Sequence, residues 1–501
     1  MRTFLAALLT LLLLPALARA DDWQTSSPEA QGMSSRELAD LVSFGISNGM
    51  DSLLVTRHGK IVAEAYYAPF APGLRHRVNS TTKSVIGNLV AIALKEGLIK
   101  SLDQPVLDFF PERHFANVDE RKKAITLRHL LDMTSGLDWD EPMSSSRFPS
   151  IVELERNPDW VQFILDRPMV RDPGATFEYN SGGPHLLSAI LSKVTGRSAL
   201  DYAKEKLFKP LGIEDVQWRA DPQGVSIGGF GLYFLPRDMA KLGMLWLHDG
   251  VWNGQRLLPA GWIDEVRHAK VEMPFPGWRY ANLFWSVPDK DAFMSVGFDR
   301  QLITVMPGLD VAAVFTGANR YNNAAGVPTM PTYRLSAVLD RLKAAVKSDT
   351  ALPEDPAALA LLADKTKEVA QEVHSQSAGS SPLAAAISGK VYRLQPNPLR
   401  LSFFALTFAN GAASYTFDVK DQHYGGPIGL DGLYDVGGRR PYGKSAAKGR
   451  WLDDKTFQLE SLTLGNDDAS IITFTFGGRS LTARLESLGG FKAELKGEAG
   501  E

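Results

Sequence analysis

A serine and a lysine that could do chemistry together lie three residues apart, as Ser80 and Lys83 of the sequence STTK. On a helix this spacing puts both side chains on one face, one turn from each other. Ser80 would stand at the helix start, where unpaired backbone N–H groups favour a developing anion. A serine hydroxyl needs a base, and a lysine can be that base only when it is neutral. The pair therefore indicates nucleophilic catalysis; the alternative is a helix cap at Ser80 and a surface Lys83.

The segment after the pair indicates how the lysine could lose its charge. Residues 80–96 have the apolar period of a helix, with Asn88 as the one polar residue at its centre. This pattern predicts a helix that is buried on all sides and ends at Gly97. Burial disfavours a charged ammonium and would lower the pKa of Lys83. A second sequence of the same spacing, Ser445–Lys448, has flanking glycines and is predicted to lie in a loop.

Several separated motifs make the chain resemble the superfamily of serine β-lactamases and penicillin-binding proteins. They are Ser80–Ser84 with its apolar helix, Ile125–Leu137 (ITLRHLLDMTSGL), and Leu235–Gly243 (LPRDMAKLG) with the region 250–259 after it. The chain is most similar to the class C β-lactamase-related serine hydrolases, which include esterases, D-aminopeptidases and 6-aminohexanoate-dimer hydrolases. The resemblance covers about residues 21–345 and implies an acyl-enzyme on Ser80 with no cofactor.

The second motif of that family, Tyr-x-Asn or Tyr-x-Ser, matches Tyr179 and Ser181 in the sequence YNS. The resemblance implies that Tyr179 shares a proton with Lys83, takes it from Ser80 and passes it to the leaving group. It also implies that Ser181 hydrogen-bonds Lys83 or the substrate. Two other tyrosines have the same spacing and remain rivals: Tyr280 (YAN), beside a predicted strand, and Tyr321 (YNN), after one.

The third motif is where the sequence departs from the family. Relatives carry Lys-Thr-Gly, His-x-Gly or Gly-x-Gly-Gly-Gln, and the matching stretch here is Ser295–Gln301 (SVGFDRQ). Gly297 and Gln301 fit the last variant, whereas Asp299 and Arg300 replace its glycines. The Lys or His that helps to hold a substrate carboxylate is absent, which argues against β-lactam or peptidoglycan substrates; Arg300 is a nearby replacement or an exposed strand-end residue. The resemblance places the oxyanion hole at the backbone N–H groups of Ser80 and Phe298, and backbone donors tolerate a changed side chain.

Composition excludes several other classes of function. The chain has 501 residues, no cysteine and a net charge of −3, so thiol catalysis, a disulfide scaffold and cysteine-ligated zinc are excluded. A mildly acidic chain without a basic tract argues against nucleic acid as a partner. The nine histidines lack metal-binding spacing, so no metal site is predicted, and His129 is expected to pack in its helix.

Two further features have a structural alternative. The sequence GVSIG around Ser226 fits the nucleophile elbow of another hydrolase fold, but no predicted strand precedes it. Ser226 is therefore predicted to lie in a glycine-rich loop at the edge of the cleft. The tryptophans Trp139, Trp160 and Trp285 either line the cleft or pack in the core.

The chain is predicted to have four parts. Residues 1–20 have the charged start, apolar stretch and small-residue cleavage pattern of a signal peptide cut after Ala20, which predicts a secreted or periplasmic protein without a membrane span after cleavage. Residues 21–350 form an α+β hydrolase domain of β-lactamase/transpeptidase type, with an antiparallel sheet flanked by helices and an all-helical lobe. Residues 351–382 form a helix and a linker. Residues 383–501 alternate apolar and polar side chains and predict an antiparallel β-barrel or sandwich.

These observations predict an exported serine hydrolase that cleaves a small ester or amide through an acyl-enzyme on Ser80. Its partner would be the small-molecule substrate, and the sequence leaves the oligomeric state open. Two alternatives remain: a β-lactamase or D,D-peptidase that recognises penicillin, and a binding or sensing protein on the same scaffold that does not turn over.

Overall fold

The computed structural model describes residues 23–143, 147–318, 332–374, 379, 381–419, 422–440, 443–466, 469–487 and 491–500. The predicted signal peptide, the rival Tyr321 and part of the predicted linker lie outside these residues. None of the helices in the described ranges is long and apolar enough to cross a lipid bilayer.

The described residues form thirteen α-helices, twelve of them before residue 370 and one at the start of the C-terminal domain. They are α1 (Ser35–Ser47), α2 (Thr81–Lys95), α3 (Glu120–Lys123), α4 (Leu127–Leu131), α5 (Pro149–Arg156), α6 (Trp160–Asp166), α7 (Gly182–Thr195), α8 (Ala199–Ala203), α9 (Pro236–Leu247), α10 (Trp262–Arg267), α11 (Thr332–Ala345), α12 (Pro356–Val369) and α13 (Leu383–Ile387). Short 3₁₀ turns lie at Glu29–Gln31, Val106–Phe109, Pro288–Lys290 and Pro307–Leu309, and a π turn at Lys204–Phe208.

The strands of the first domain are β1 (Met50–Arg57), β2 (Lys60–Tyr66), β3 (His76–Arg77), β4 (Gln217–Trp218), β5 (Leu232–Phe234), β6 (Val251–Trp252), β7 (Gln255–Arg256), β8 (Val271–Glu272), β9 (Arg279–Ala281), β10 (Phe284–Val287), β11 (Ala292–Gly297), β12 (Gln301–Met306) and β13 (Val311–Gly317). Within the described residues, eight of them form one antiparallel sheet in the order β2-β1-β13-β12-β11-β10-β9-β8. The predicted α+β architecture is confirmed, because the N-terminal hairpin pairs through β1 with the last strand, β13.

Helices cover both faces of this sheet because neighbouring strand residues point to opposite sides. Ile303 of β12 meets Gly243 of α9 on one face. The adjacent Leu302 shares the other face with Phe44 of α1 and Leu335 of α11. The helices α3 to α8 form the separate lobe between β3 and β5.

Helix α2 lies between the sheet and this lobe and has no solvent-facing side over its first thirteen residues, 81–93. The predicted all-round burial is therefore confirmed. Gly87 allows the close approach of the sheet, since a Cβ there would lie 2.6 Å from the Asn282 carbonyl oxygen. The helix ends before Gly97, whose φ of +75° is the left-handed conformation that glycine adopts most easily.

The strands of the C-terminal domain are β14 (Val391–Leu394), β15 (Leu401–Ala409), β16 (Ala412–Val419), β17 (Gln422–Ile428), β18 (Asp435–Arg440), β19 (Gly443–Asp453), β20 (Thr456–Thr463), β21 (Ala469–Gly477), β22 (Ser480–Ser487) and β23 (Lys492–Ala499). Within the described residues these ten strands form one antiparallel sheet that runs from β17 to β18. Its two edges approach each other, since a Cβ on Gly438 of β18 would lie 1.9 Å from the Gly425 carbonyl oxygen of β17. The sheet is thus a nearly closed barrel.

One local prediction in this domain is wrong. Ser445–Lys448 lies within strand β19 and not in a loop. Position 449 needs a glycine because a Cβ there would lie 2.4 Å from the ring of Phe457 on the neighbouring strand. The glycine therefore serves strand packing and does not mark a turn. Ser445 is buried and hydrogen-bonds the Tyr415 hydroxyl, so this second Ser-x-x-Lys sequence belongs to the barrel core.

The barrel contacts the first domain next to the strand that leads to Ser80. The Arg77 amide donates to the Gly465 carbonyl at 2.6 Å, and the Tyr233 hydroxyl donates to Asn466 at 3.0 Å. Apolar residues of the barrel, including Leu464, pack against Phe70 in the same place. The helix predicted at 351–382 is α12, which packs against α1 in the core of the first domain. The boundaries at 350 and 382 stay predictions.

Candidate active site

Ser80 occupies the position before the first turn of α2, but its side chain caps no helix amide. Its hydroxyl instead accepts a hydrogen bond from Lys83 Nζ at 2.8 Å. The Lys83 side chain is buried, with 1% of its surface exposed. The alternative of a capping serine and a surface lysine is therefore wrong. The two residues meet because the helical spacing places them on one face, as the sequence predicted.

Among the described residues, Lys83 has three hydrogen-bond partners, which come from three separate parts of the chain. Besides Ser80, its Nζ donates to Ser181 Oγ at 2.8 Å and to the Gly229 carbonyl at 2.7 Å. Burial is the main cause that lowers the pKa of Lys83 to about 8, while the negative charge of Glu141 acts in the opposite direction. A useful fraction of this lysine is therefore neutral near pH 7.

Ser181 connects Lys83 to a carboxylate that the sequence did not single out. Glu141 accepts from the Ser181 hydroxyl at 2.6 Å and from the Ser181 amide at 2.7 Å. Its Oε2 also accepts from Trp139 Nε1 at 2.7 Å. Since every one of these contacts requires an acceptor, the carboxylate form of Glu141 fits the site. The Ser181 hydroxyl donates its only proton to Glu141, so it can only accept a hydrogen bond from Lys83.

Tyr179 lies at the same centre. The Lys83 ammonium nitrogen is 4.8 Å from the centre of the Tyr179 ring. The Tyr179 hydroxyl is buried and makes no hydrogen bond of normal geometry to a described residue. Burial first, and then the charge of Glu141, raise the pKa of Tyr179 well above its ordinary value, while the nearby Ser80 hydroxyl acts to lower it. The phenol is therefore neutral and keeps its proton at physiological pH.

The third motif forms the hairpin turn between β11 and β12, with Gly297 paired to Gln301. Asn79, with a φ of +47°, donates its side-chain amide to the Phe298 carbonyl at 3.0 Å and so ties this turn to the start of α2. Gly297 is needed for that approach, because a Cβ would lie 2.3 Å from the Val78 carbonyl oxygen. In the described part of the chain, neither the Ser80 amide nor the Phe298 amide donates to an acceptor. The Ser80 amide, and the Phe298 amide on the turn that Asn79 ties to the start of α2, therefore both have a free N–H among the described residues.

The nearby arginine does not replace the missing Lys or His of the third motif. Arg300 donates to the Ala318 carbonyl at 3.0 Å, and its guanidinium lies close to Gly49 beside β1. It also lines a small cavity with Phe44 of α1. These contacts belong to the α1 face of the sheet, whereas Lys83 and Ser80 lie on the side of the helical lobe.

The rival residues serve other purposes. Tyr280 is buried in β9 and packs on Phe177 with ring centres 5.1 Å apart. Its motif partner Asn282 bonds Arg128 and Glu265, not the lysine.

Ser226 is buried, and its hydroxyl accepts from the Leu200 amide. The histidine His129 forms a capping box with Thr126. Trp139, Trp160 and Trp285 are buried in the core, and Trp139 is the one that reaches the site, through Glu141.

Three contributors to the site were missed from sequence. Glu141 and Asn79 are single polar residues whose spacing carries no signal. Gly229 acts through its backbone carbonyl, which no side-chain pattern reveals. The loop that holds it needs its glycines, because a Cβ on Gly229 would lie 2.6 Å from the Ser181 carbonyl oxygen. The predicted glycine-rich loop around Ser226 thus reaches the cleft next to Lys83. No group of three or more histidine or acidic side chains is placed to hold a metal in the ranges that the structure describes.

The model of the β-lactamase family matches residues 46–322, more than half of the chain. The chain belongs to the β-lactamase family. The resemblance predicted from its motifs, and the β-lactamase/transpeptidase-like fold of its first domain, are confirmed.

Relatives within the family include a hydrolase and an acyltransferase. This β-lactamase family chain is 26% identical over 288 residues to the 6-aminohexanoate-dimer hydrolase of Paenarthrobacter ureafaciens, covering 53% of this chain and 71% of that protein. It is 29% identical over 163 residues to the Monacolin J acid methylbutanoyltransferase of Aspergillus terreus, covering 28% of this chain and 38% of that protein. A solved structure from Bacillus anthracis, assigned as a 6-aminohexanoate-dimer hydrolase, shares the fold with a TM-score of 0.55 and 19% identity, covering 66% of this chain and 89% of that one.

Proposed function

We propose that the protein is an exported serine hydrolase that cleaves a small ester or amide through an acyl-enzyme on Ser80. The single observation that carries this proposal is the set of hydrogen bonds around Lys83. Gly229 offers a carbonyl and Ser181 offers a hydroxyl whose own proton goes to Glu141. A neutral amine has two N–H donors and one lone pair. Both donors are matched by these two acceptors, so the lone pair is directed at the Ser80 hydroxyl 2.8 Å away.

Acylation of Ser80 then proceeds by two coupled proton transfers. Lys83 takes the proton of Ser80 as the serine oxygen bonds to the substrate carbonyl carbon. The carbonyl oxygen becomes an oxyanion between the amides of Ser80 and Phe298. The bond to the leaving oxygen or nitrogen breaks as Tyr179 donates its proton, and Lys83 returns a proton to the phenolate. Since burial keeps Tyr179 protonated and Lys83 partly neutral, we assign the base to Lys83 and the acid to Tyr179.

Hydrolysis of the acyl-enzyme repeats these steps with water as the nucleophile. Lys83 accepts the proton of the water, and the Ser80 oxygen leaves with a proton restored to it. The edge-to-face pair of Phe148 and Phe298, with ring centres 5.5 Å apart, gives the entrance an apolar wall beside the proposed oxyanion site. An uncharged acyl group suits this wall better than a carboxylate, since no lysine or histidine stands in the third motif.

The test is covalent labelling with a fluorophosphonate together with turnover of a short p-nitrophenyl ester. Wild-type protein should label once per chain, and Ser80→Ala should lose both labelling and turnover. Ser226→Ala is the matched control, because Ser226 is a buried serine outside the site, and it should retain both. Full labelling of Ser80→Ala would remove the assignment.

The alternatives predict different outcomes in the same protein. A β-lactamase or D,D-peptidase would hydrolyse nitrocefin or be labelled by penicillin, and Arg300 bonded to Ala318 makes us rank this below a small ester or amide. A sensing protein would label once and release no product. Export is a separate proposal, and N-terminal sequencing of the protein from a bacterial periplasm should begin at Asp21.

A further inference from the structure

The C-terminal barrel contains an apolar cavity of about 230 Å³ that is partly open to solvent. In the part of the chain that the structure describes, lining residues come from eight of the ten strands, β14–β16, β18 and β20–β23. Lining residues on one strand are two positions apart in the sequence, and Leu481, Ala483 and Leu485 of β22 are an example. Because alternate residues of a strand face the same side, the cavity lies inside the barrel and not on its surface. Small barrels either fill this space with side chains or hold one small ligand there.

One wall of the cavity carries a cation. Arg440 of β18 donates through Nη2 to the Tyr415 hydroxyl at 2.9 Å and to Ser461 Oγ at 2.7 Å, and its guanidinium carbon lies 5.0 Å from the centre of the Phe417 ring. These contacts fix the guanidinium against the aromatic wall. The other lining residues are almost all apolar, such as Leu459.

Among the described residues, the Arg440 guanidinium has no anionic partner. Its Nε is buried and donates to no acceptor among the described residues. The hydrogen-bond partners of its guanidinium in the described barrel are the two hydroxyls of Tyr415 and Ser461, and neither carries a negative charge. A cation in an apolar cavity is costly unless an anion accepts from it. The cavity therefore provides an apolar interior and one unused charged donor, which is the complement of a molecule with an alkyl tail and an anionic head.

We propose that the barrel binds one medium-chain fatty acid, with the carboxylate on Arg440 and the alkyl chain along Leu459, Ile472 and Leu481. The volume sets the length of the chain. A dry apolar cavity of about 150 Å³ binds benzene, so a cavity half as large again accommodates roughly eight to ten carbons. The carboxylate would accept a hydrogen bond from Nε–H, and hydrogen bonds between charged groups are stronger than those between neutral ones. This site is independent of the proposed chemistry at Ser80.

Isothermal titration calorimetry of the full chain with sodium decanoate, below its micelle concentration, tests the proposal. Wild-type protein should bind one decanoate saturably, and decanol more weakly. Arg440→Met, which keeps an unbranched side chain but removes the charge and the donors, should weaken decanoate binding at least tenfold and leave decanol binding unchanged. Arg450→Met is the control, since Arg450 is exposed on β19 and bonds only Gln458 in the described barrel, and it should bind as wild type does.

A cavity-filling variant locates the ligand. Ala483→Phe should lose saturable binding, and Ser470→Phe provides a second filling position at a less buried residue if the first fails to fold by circular dichroism. Unchanged binding in a folded filling variant would put the ligand elsewhere and overturn the proposal. Absence of saturable binding to the wild type, or equal decanoate affinity in Arg440→Met, would also overturn it.

Discussion

Replacing Glu141 by glutamine should move the pH dependence of activity to lower pH. Lys83, with a pKa of about 8, must be neutral to act, so kcat/KM of the wild type should rise with pH through about 8 and level off above it. At pH 7 about one molecule in eleven has a neutral lysine, against fewer than one in a thousand at the ordinary lysine pKa. Glu141 raises the pKa of Lys83, so removal of its charge must lower it.

The size of the change follows from the distance between the two charges. Lys83 Nζ and Glu141 Oε1 both bond Ser181 Oγ, at 2.8 and 2.6 Å, so they lie no more than about 5.5 Å apart. Coulomb interaction at that distance is about 1 kcal/mol in a water-like dielectric and about 3 kcal/mol at an effective dielectric of 20. The midpoint of the pH profile should therefore fall by roughly 0.5 to 2 pH units. Glutamine keeps the size of the side chain and can still accept from the Ser181 hydroxyl, but its amide nitrogen cannot accept from the Ser181 amide and Trp139, so circular dichroism must show that the variant folds as the wild type does.

The assay is hydrolysis of a p-nitrophenyl ester, followed at the isosbestic wavelength of nitrophenol across pH 5 to about 10. Rates of fluorophosphonate labelling give the same midpoint if turnover of the variant is slow. Glu153→Gln is the control, because Glu153 is an exposed acid of the same lobe that pairs with Arg167. A midpoint that stays in place or moves to higher pH in Glu141→Gln would refute the assigned roles of Glu141 and Lys83.

Three further changes test other parts of the structure. Tyr179→Phe removes the proposed acid and should lower kcat/KM by roughly 10²- to 10⁴-fold, with unchanged circular dichroism; a near-normal rate would contradict this role. Asn79→Gly keeps the left-handed backbone but removes the bond to Phe298, and it should reduce kcat about tenfold with little change in KM. Gly465→Ala puts a Cβ 1.8 Å from the Arg75 carbonyl and should lower the free energy of unfolding by about 1–3 kcal/mol in calorimetry, more than the control Gly478→Ala, which meets no neighbour.

The sequence by itself determined the proposed nucleophile, its proposed base and the helix that carries them. Ser80 and Lys83 meet because residues three apart on a helix lie on one face. The apolar period of α2 predicts that this helix is buried in the core. Tyr179 and Ser181 were found through the order of the family's motifs. Strands in the barrel were predicted because side chains that alternate between core and solvent leave a period of two in the sequence.

Only the tertiary structure decided which residues set the pKa of Lys83 and hold its side chain in place. Glu141 reaches Lys83 through Ser181, which lies 98 residues after Lys83 in the chain, and Gly229 contributes only a carbonyl. Long-range contacts of this kind depend on how the lobe folds back on α2, and they leave no pattern in local residue types. For the same reason Ser445–Lys448 looked like a loop: its glycines serve contacts with other strands, whereas local sequence shows only their freedom to turn. The cavity beside Arg440 likewise exists only once eight strands enclose it.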